Sequence, residues 1–349
     1  MMENEIALGV AAGTASALGL VNLKSDARPT TAHLLLPGRC SFRCGYCARA
    51  ADGTGLEFLS RIRWPSFGEG AVYRAISERR AAFERACIQV VQTGDWIEQA
   101  LRVIKNLRRS ALPISLATRP IPAVLVGRLL AAGANRIGLP IDVASARLYR
   151  RLRGGGYERD VGLIEEAART FRGRISTHII VGVGERGDEL VDAMLRLHRS
   201  GAAIALFAFT PCPGTKMATR APPDLSRYRR AQVARYLIER GMGMDFAFDP
   251  DGEIADFGFS RQELRGIVGP SAFQTSGCPG CNRPFYNERP SGPIYNYPRP
   301  LTGGEHEEGL RLIGEKHKNL ADAPTREECW AKAQGQSGAS FSRDSTAHT

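Results

Sequence analysis

The chain has 349 residues, 43% of them apolar, and a formal net charge of +11, which is enough for one barrel-sized α/β domain with extensions. Its eight cysteines lack the close, even spacing of a disulfide framework, which argues for a reducing compartment, the cytoplasm, where thiols hold metal. The basic surface attracts anions, yet no aromatic-interleaved basic motif for nucleic acid is present, and an acidic protein partner fits the charge equally well. Residues 6 to 20 are small and apolar. They follow an acidic start, unlike a signal peptide, and are too short for a membrane span. They are expected to be helical, within an N-terminal helical extension over residues 1–29.

In chain order, Ala32–Leu36 is the first expected strand, and the loop after it carries three thiols. Gly55 to Arg85 is amphipathic and interrupted by Trp64-Pro65. Cys87–Val91 is the second strand, followed by a helix from Trp96 to Arg109. Ile114–Ala117, Arg136–Pro140, Arg174–Val181 and Ile204–Phe209 are the next four strands, with helical stretches between them. This alternation favours a parallel sheet. Six such units make a partial (βα)6 TIM-like barrel, of the α/β class, over residues 30–250. An irregular, cluster-binding extension is expected over 251–302, and a polar, partly disordered tail over 303–349.

Cys40-Ser-Phe-Arg-Cys44-Gly-Tyr-Cys47 is spaced C-x3-C-x2-C, and no His or Cys follows within thirty residues. Three thiols on one loop reach three irons of a cube, whereas a tetrahedral zinc site wants a fourth ligand nearby. One iron is left open for another molecule. A second set comprises Cys212 and Cys278-Pro-Gly-Cys281. The C-x2-C spacing also occurs in redox dithiols and zinc knuckles. Cys212, Cys278 and Cys281 could bind a second cluster, with Ser291 as the nearest oxygen ligand. The segment from Cys278 to Pro300 is dense in Pro, Gly and Tyr and has no helical or strand period. A metal holding it over the barrel mouth as a lid makes physical sense.

The first spacing resembles the signature of the radical S-adenosylmethionine (radical SAM) superfamily. That resemblance implies a [4Fe–4S] cluster on Cys40, Cys44 and Cys47 whose open iron is chelated by the methionine end of SAM. An electron donor such as ferredoxin or flavodoxin would then drive cleavage to a 5′-deoxyadenosyl radical. Tyr46 matches the aromatic that packs near adenine in that family. Thr93, Gly94 and Asp95 stand where the family contacts the methionine amino group. His178-x-Ile180-x-Gly182-x-x-Glu185 resembles a fifth-strand motif lying against adenine, which implicates Ile180, Gly182 and Glu185. Asp142 either accepts from the ribose hydroxyls or caps the following helix. His178 is either a site residue or a satisfied core histidine, and Phe207 and Phe209 are expected to pack.

The two thiol sets and the tail CPGCNRPFYNERPSGPIYNYPRP resemble the lipoyl synthases, in particular the type that divides the work between two radical SAM proteins. This implies sulfur insertion into an octanoyl chain held on a lysine of a lipoyl carrier protein or domain. A second [4Fe–4S] cluster would be the sulfur source, and a second radical SAM protein a partner. The N-terminal C-x4-C-x5-C and C-terminal Arg-Ser-Ser of single-protein lipoyl synthases are absent, and Arg289-Pro-Ser291 echoes the latter loosely. Two alternatives stay open. One is another radical SAM enzyme, performing biotin-synthase-like sulfur insertion or methylation of a small molecule. The other is a non-catalytic iron–sulfur assembly partner.

Overall fold

Runs of Val, Ile, Leu and Ala form strands buried on both faces, as parallel sheets require. The computed structural model describes residues 5–24, 27–242, 245–289 and 291–314. Strand β1 (Ala7–Val10) and helix α1 (Ala12–Ala17) lead into β2 (Thr31–Leu35) and the thiol loop. A small hairpin of β3 (Phe58–Leu59) and β4 (Ile62–Arg63) precedes β5 (Ser66–Gly68) and α2 (Glu69–Glu78). Then come β6 (Arg85–Gln89), α3 (Trp96–Leu107), β7 (Ile114–Ala117), α4 (Ala123–Ala132) and β8 (Arg136–Gly138). They are followed by α5 (Ala146–Leu152), α6 (Tyr157–Thr170), β9 (Ile175–Val181), α7 (Gly187–Arg199), β10 (Ala203–Ala208) and α8 (Leu225–Glu239). Strands β11 (Ala247–Phe248) and β12 (Ile254–Asp256) and helices α9 (Arg261–Ile267) and α10 (Gly303–Leu312) complete the unit Met1–Gly314.

The main sheet has the order β10-β9-β8-β7-β6-β2-β1-β5. The six strands from β2 through β6 to β10 pair in parallel, while β1 pairs antiparallel with both β2 and β5. This α/β arrangement is a partial TIM-like barrel. Side chains alternate across it with period two. Leu34, Ile88, Leu116 and Ile179 face the helices and are fully buried, each worth about 1.5–3 kcal/mol. His33, Cys87, Ser115 and His178 point into the barrel, where they line a cavity. Among the described residues no helix is long and apolar enough to cross a membrane.

Three expectations change. The expected N-terminal helix contains a sheet strand, because Ala7–Val10 satisfies its backbone against Ser66–Gly68 and β2. Residues 303–312 form α10, capped by Thr302 and Glu305, so the polar tail starts later; the stretch expected to be disordered lies outside the described residues.

The third change concerns the irregular segment after Phe273, which was expected over the barrel mouth. It runs instead under the base of the barrel and up its open seam. At the base, Arg85 Nε donates to Pro279 O at 2.9 Å and Leu206 N to Ser276 Oγ at 3.1 Å. Higher up, Asn287 Nδ2 donates to Ala208 O (2.9 Å) and Ser60 Oγ to Tyr286 O (2.9 Å). The edge of β10 is thereby covered. Helix α8 holds the segment from behind, with Arg229 donating to Tyr295 O and Ile294 O, both at 2.6 Å.

Candidate functional site

The thiol loop lies where β2 ends and is pinned from several sides. Ser41 N donates to Gln92 O at 2.9 Å, Gly45 N to Leu152 O at 2.7 Å, and Ala51 N to Phe42 O at 2.7 Å. Arg119 lies over the Phe42 ring (3.9 Å) and directs NH1 to Cys44 Sγ at 3.4 Å. Burial beside Cys44 pushes the Cys47 thiol up to about 12. Beneath the loop, Tyr46 Oη donates to Asp142 Oδ2 at 2.7 Å, and Arg153 pairs with that carboxylate and donates to Tyr46 Oη at 2.8 Å. Asp142 has φ +57°, a left-handed conformation that Asp tolerates. Ser145, not Asp142, caps α5.

A cavity of ≈ 270 Å³ extends from Cys40, Cys44 and Cys47 into the barrel interior. Its walls include Tyr46, Asp142, Arg153, His178 and Ile180, and its far end carries His33, Cys87, Cys278, Cys281, Arg283 and Tyr286. The deep end is ordered by strand register: Cys87 is paired with His33 on one side and with Ser115 on the other. Cys281 Sγ is 3.9 Å from His33 Nε2, and Ser115 Oγ is 3.6 Å from Cys278 Sγ. Burial and the Arg283 charge lower both His33 and His178 to about 3, so both imidazoles are neutral. His33 Nδ1, Tyr286 Oη and Arg49 Nε are buried on these walls without partners among the described residues. Buried polar atoms of that kind await a ligand or water.

The structure brings some expected site residues together and leaves others apart. Cys40, Cys44, Cys47, Tyr46, Asp142, Ile180, Cys278 and Cys281 share the cavity, and Phe207 and Phe209 line it as well as packing. Thr93, Gly94 and Asp95 sit at the same rim but off the cavity wall. Asp95 is occupied by Thr93 Oγ1 (2.8 Å) and Gln99 Nε2 (2.9 Å). Glu185 accepts from Gly182 N (2.7 Å), Val183 N (2.9 Å), Gly184 N (3.0 Å) and Arg227 NH1 (2.9 Å). It organises a turn whose glycines have φ of +103° and +114°, so neither it nor Gly182 touches the cavity. Cys212 and Ser291 are also off the wall. Cys212 is buried and bonds Thr210 O at 3.5 Å, while Ser291 is exposed. Sequence reasoning missed Cys87, His33, Arg153 and Arg283; Cys87 carried the signal of a thiol inside an inward-facing strand.

Residues 34–197, from β2 into α7, match the model of the radical SAM superfamily. They form a radical SAM domain. Three solved structures resemble part of the chain. HydG, a maturase of the [FeFe]-hydrogenase, has TM-score 0.50 at 13% identity, covering 61% of this chain and 50% of that one. Methylornithine synthase (PylB) has TM-score 0.47 at 14% identity, covering 65% and 67%. SuiB of Streptococcus suis bound to S-adenosylmethionine has TM-score 0.47 at 13% identity, covering 63% and 50%. The chain thus spans about half the length of HydG and SuiB, and at these identities the likeness is one of fold. No match is found among curated proteins.

A radical SAM domain implies a [4Fe–4S] cluster and SAM, and the residues present fit both. Cys40, Cys44 and Cys47 are free thiols at the mouth of a cavity with unpartnered polar atoms. Among the described residues no three His, Cys, Asp or Glu side chains converge as on a single ion. Three corners of a cube do not require such convergence.

Proposed function

We propose that this radical SAM enzyme inserts sulfur into an unactivated C–H bond of an octanoyl chain carried on a protein lysine, as one component of a two-protein lipoyl synthase. One observation carries the reading: a single cavity is walled by both the radical SAM thiols and Cys278 and Cys281. When bound, the cluster and SAM supply a 5′-deoxyadenosyl radical, and a second centre supplies sulfide. The chain's own residues do the rest. Cys40, Cys44 and Cys47 hold the cluster, with Arg119 against the Cys44 sulfur. Tyr46, Asp142 and Ile180 are placed to receive the adenosine part of SAM. Leu35, Val91, Ile180, Phe207 and Phe209 line the path between the two thiol sets. Such walls exclude water and suit an alkyl chain. The net charge of +11 suits an acidic carrier domain.

Mass spectrometry of an octanoylated carrier peptide, incubated with reduced protein and SAM, tests the reading. At most one sulfur is expected from this chain alone, and two when a second radical SAM protein is added. A carrier left unmodified under every pairing, while SAM is cleaved, overturns it.

A further inference from the structure

We infer that an iron–sulfur cluster is held at the deep end of the cavity by Cys87, Cys278 and Cys281, and not by Cys212. This deepens the reading above by giving its second centre a ligand set, and its test is metal content rather than product.

Cys278 and Cys281 straddle Cys87. Cys87 stands between His33 and Ser115 in the strand register, about 4.8 Å from each strand. Cys281 lies against His33 and Cys278 against Ser115. The three sulfurs are therefore spread around one point of the barrel interior. Cys212 sits in the turn after β10, off the cavity wall.

The charges around the thiols support the same occupant. Arg85 and Arg283 are both buried, at 8% and 9% exposure. Arg85 donates to Pro279 O at 2.9 Å and Ser115 Oγ at 2.5 Å. Arg283 donates to Ser276 O at 2.8 Å and lies 4.3 Å from the Phe207 ring. Among the described residues neither forms an ion pair. Two buried guanidinium groups without a carboxylate are costly unless an anion lies beside them. A cluster with three thiolates is such an anion, and the CPGC loop that carries two of the thiols also supplies Pro279 O to Arg85.

The test uses the full chain carrying Cys40→Ala, Cys44→Ala and Cys47→Ala, reconstituted anaerobically with ferrous iron and sulfide, so that only the second centre is counted. This background should retain about four irons and four sulfides per chain. Adding Cys87→Ala should bring iron below one per chain, whereas adding Cys212→Ala should leave it unchanged. Cys87→Ser, with an oxygen in the same place, controls for folding: an unchanged apo circular dichroism melt with an altered cluster electron paramagnetic resonance spectrum is expected. Loss of iron with Cys212→Ala but not Cys87→Ala, stoichiometric zinc, or no metal on the triple background would each overturn the assignment. None of these readouts depends on sulfur transfer, so the site and the reaction stand or fall separately.

Discussion

Thr30 and Asn282, 252 positions apart in sequence, are joined where the barrel begins: Thr30 N donates to Asn282 Oδ1 at 2.9 Å. Asn282 also donates Nδ2 to Arg28 O (2.8 Å) and Pro298 O (3.2 Å). One amide thus ties the CPGC loop to the residue before β2 and to the returning tail. Asn282→Ala should cost about 1–3 kcal/mol and loosen the loop. A lower melting temperature, with faster loss of iron to a chelator from the second centre than from the first, is the expected result. Equal loss from both would place the clamp's effect elsewhere.

Glu185 should behave as a turn organiser. Three consecutive backbone N–H groups form a nest for its carboxylate, and Arg227 adds an ion pair. Glu185→Ala leaves these donors without an acceptor and the Arg227 guanidinium with Glu253 as its remaining ion pair (2.9 Å), at a cost of about 3 kcal/mol. Chemical denaturation should show that loss, while SAM affinity per folded molecule stays near the parent value. A large fall in SAM affinity with unchanged stability would give Glu185 a direct ligand role.

Arg153 should be intolerant of lysine. Its guanidinium serves Asp142, Tyr46 Oη, Tyr149 Oη at 3.0 Å and Pro140 O at 2.6 Å from a nearly inaccessible position. A single ammonium cannot reproduce that fan of directions. Arg153→Lys should weaken SAM binding about tenfold, equivalent to about one charge-assisted hydrogen bond, as read by equilibrium dialysis. Binding within twofold of the parent would show that Asp142 and Tyr46 hold their places unaided.

Glu288 gives a pH signature. It is buried, and desolvation holds its carboxyl up to about 8 despite Arg229, Arg61 and Arg283 nearby. The unfolded chain ionises it near its ordinary value of 4.5. Between these two values the folded state binds the extra proton, so stability falls as pH rises through the window and levels off above it. Glu288→Gln should flatten that slope in urea melts taken from pH 5 to 9. An unchanged slope would show that Glu288 is ionised in the folded protein.

The six parallel strands were legible because each is a short apolar run followed by a helical period, and their observed limits lie within two residues of the expected ones. The thiol loop was legible for a similar reason, since all three of its cysteines lie within eight residues. Cys87 was not, because its nearness to Cys278 and Cys281 arises only when a segment without periodicity passes beneath the barrel. Cys212 was favoured for standing at a strand end, but its turn directs the thiol to Thr210 O. Glu185 shows the same limit: an acidic residue after two glycines does not reveal that backbone amides will take up its carboxylate. The Ala7–Val10 strand was obscured because small apolar residues suit a helix as well as a strand, and its partner strand β5 lies some sixty residues away.

The seam of the barrel is closed by Tyr286 and Asn287, which leave the ribosome after every strand of the main sheet. Until these residues dock, the wall bearing His33 and Cys87 has its flank open to solvent. Once Tyr286 has stacked 5.1 Å from His33 and Asn287 has engaged Ala208, that side is closed. On the assignment proposed above, the inner thiols would be loaded before this segment docks, and replacing a spent inner centre would require the seam to reopen.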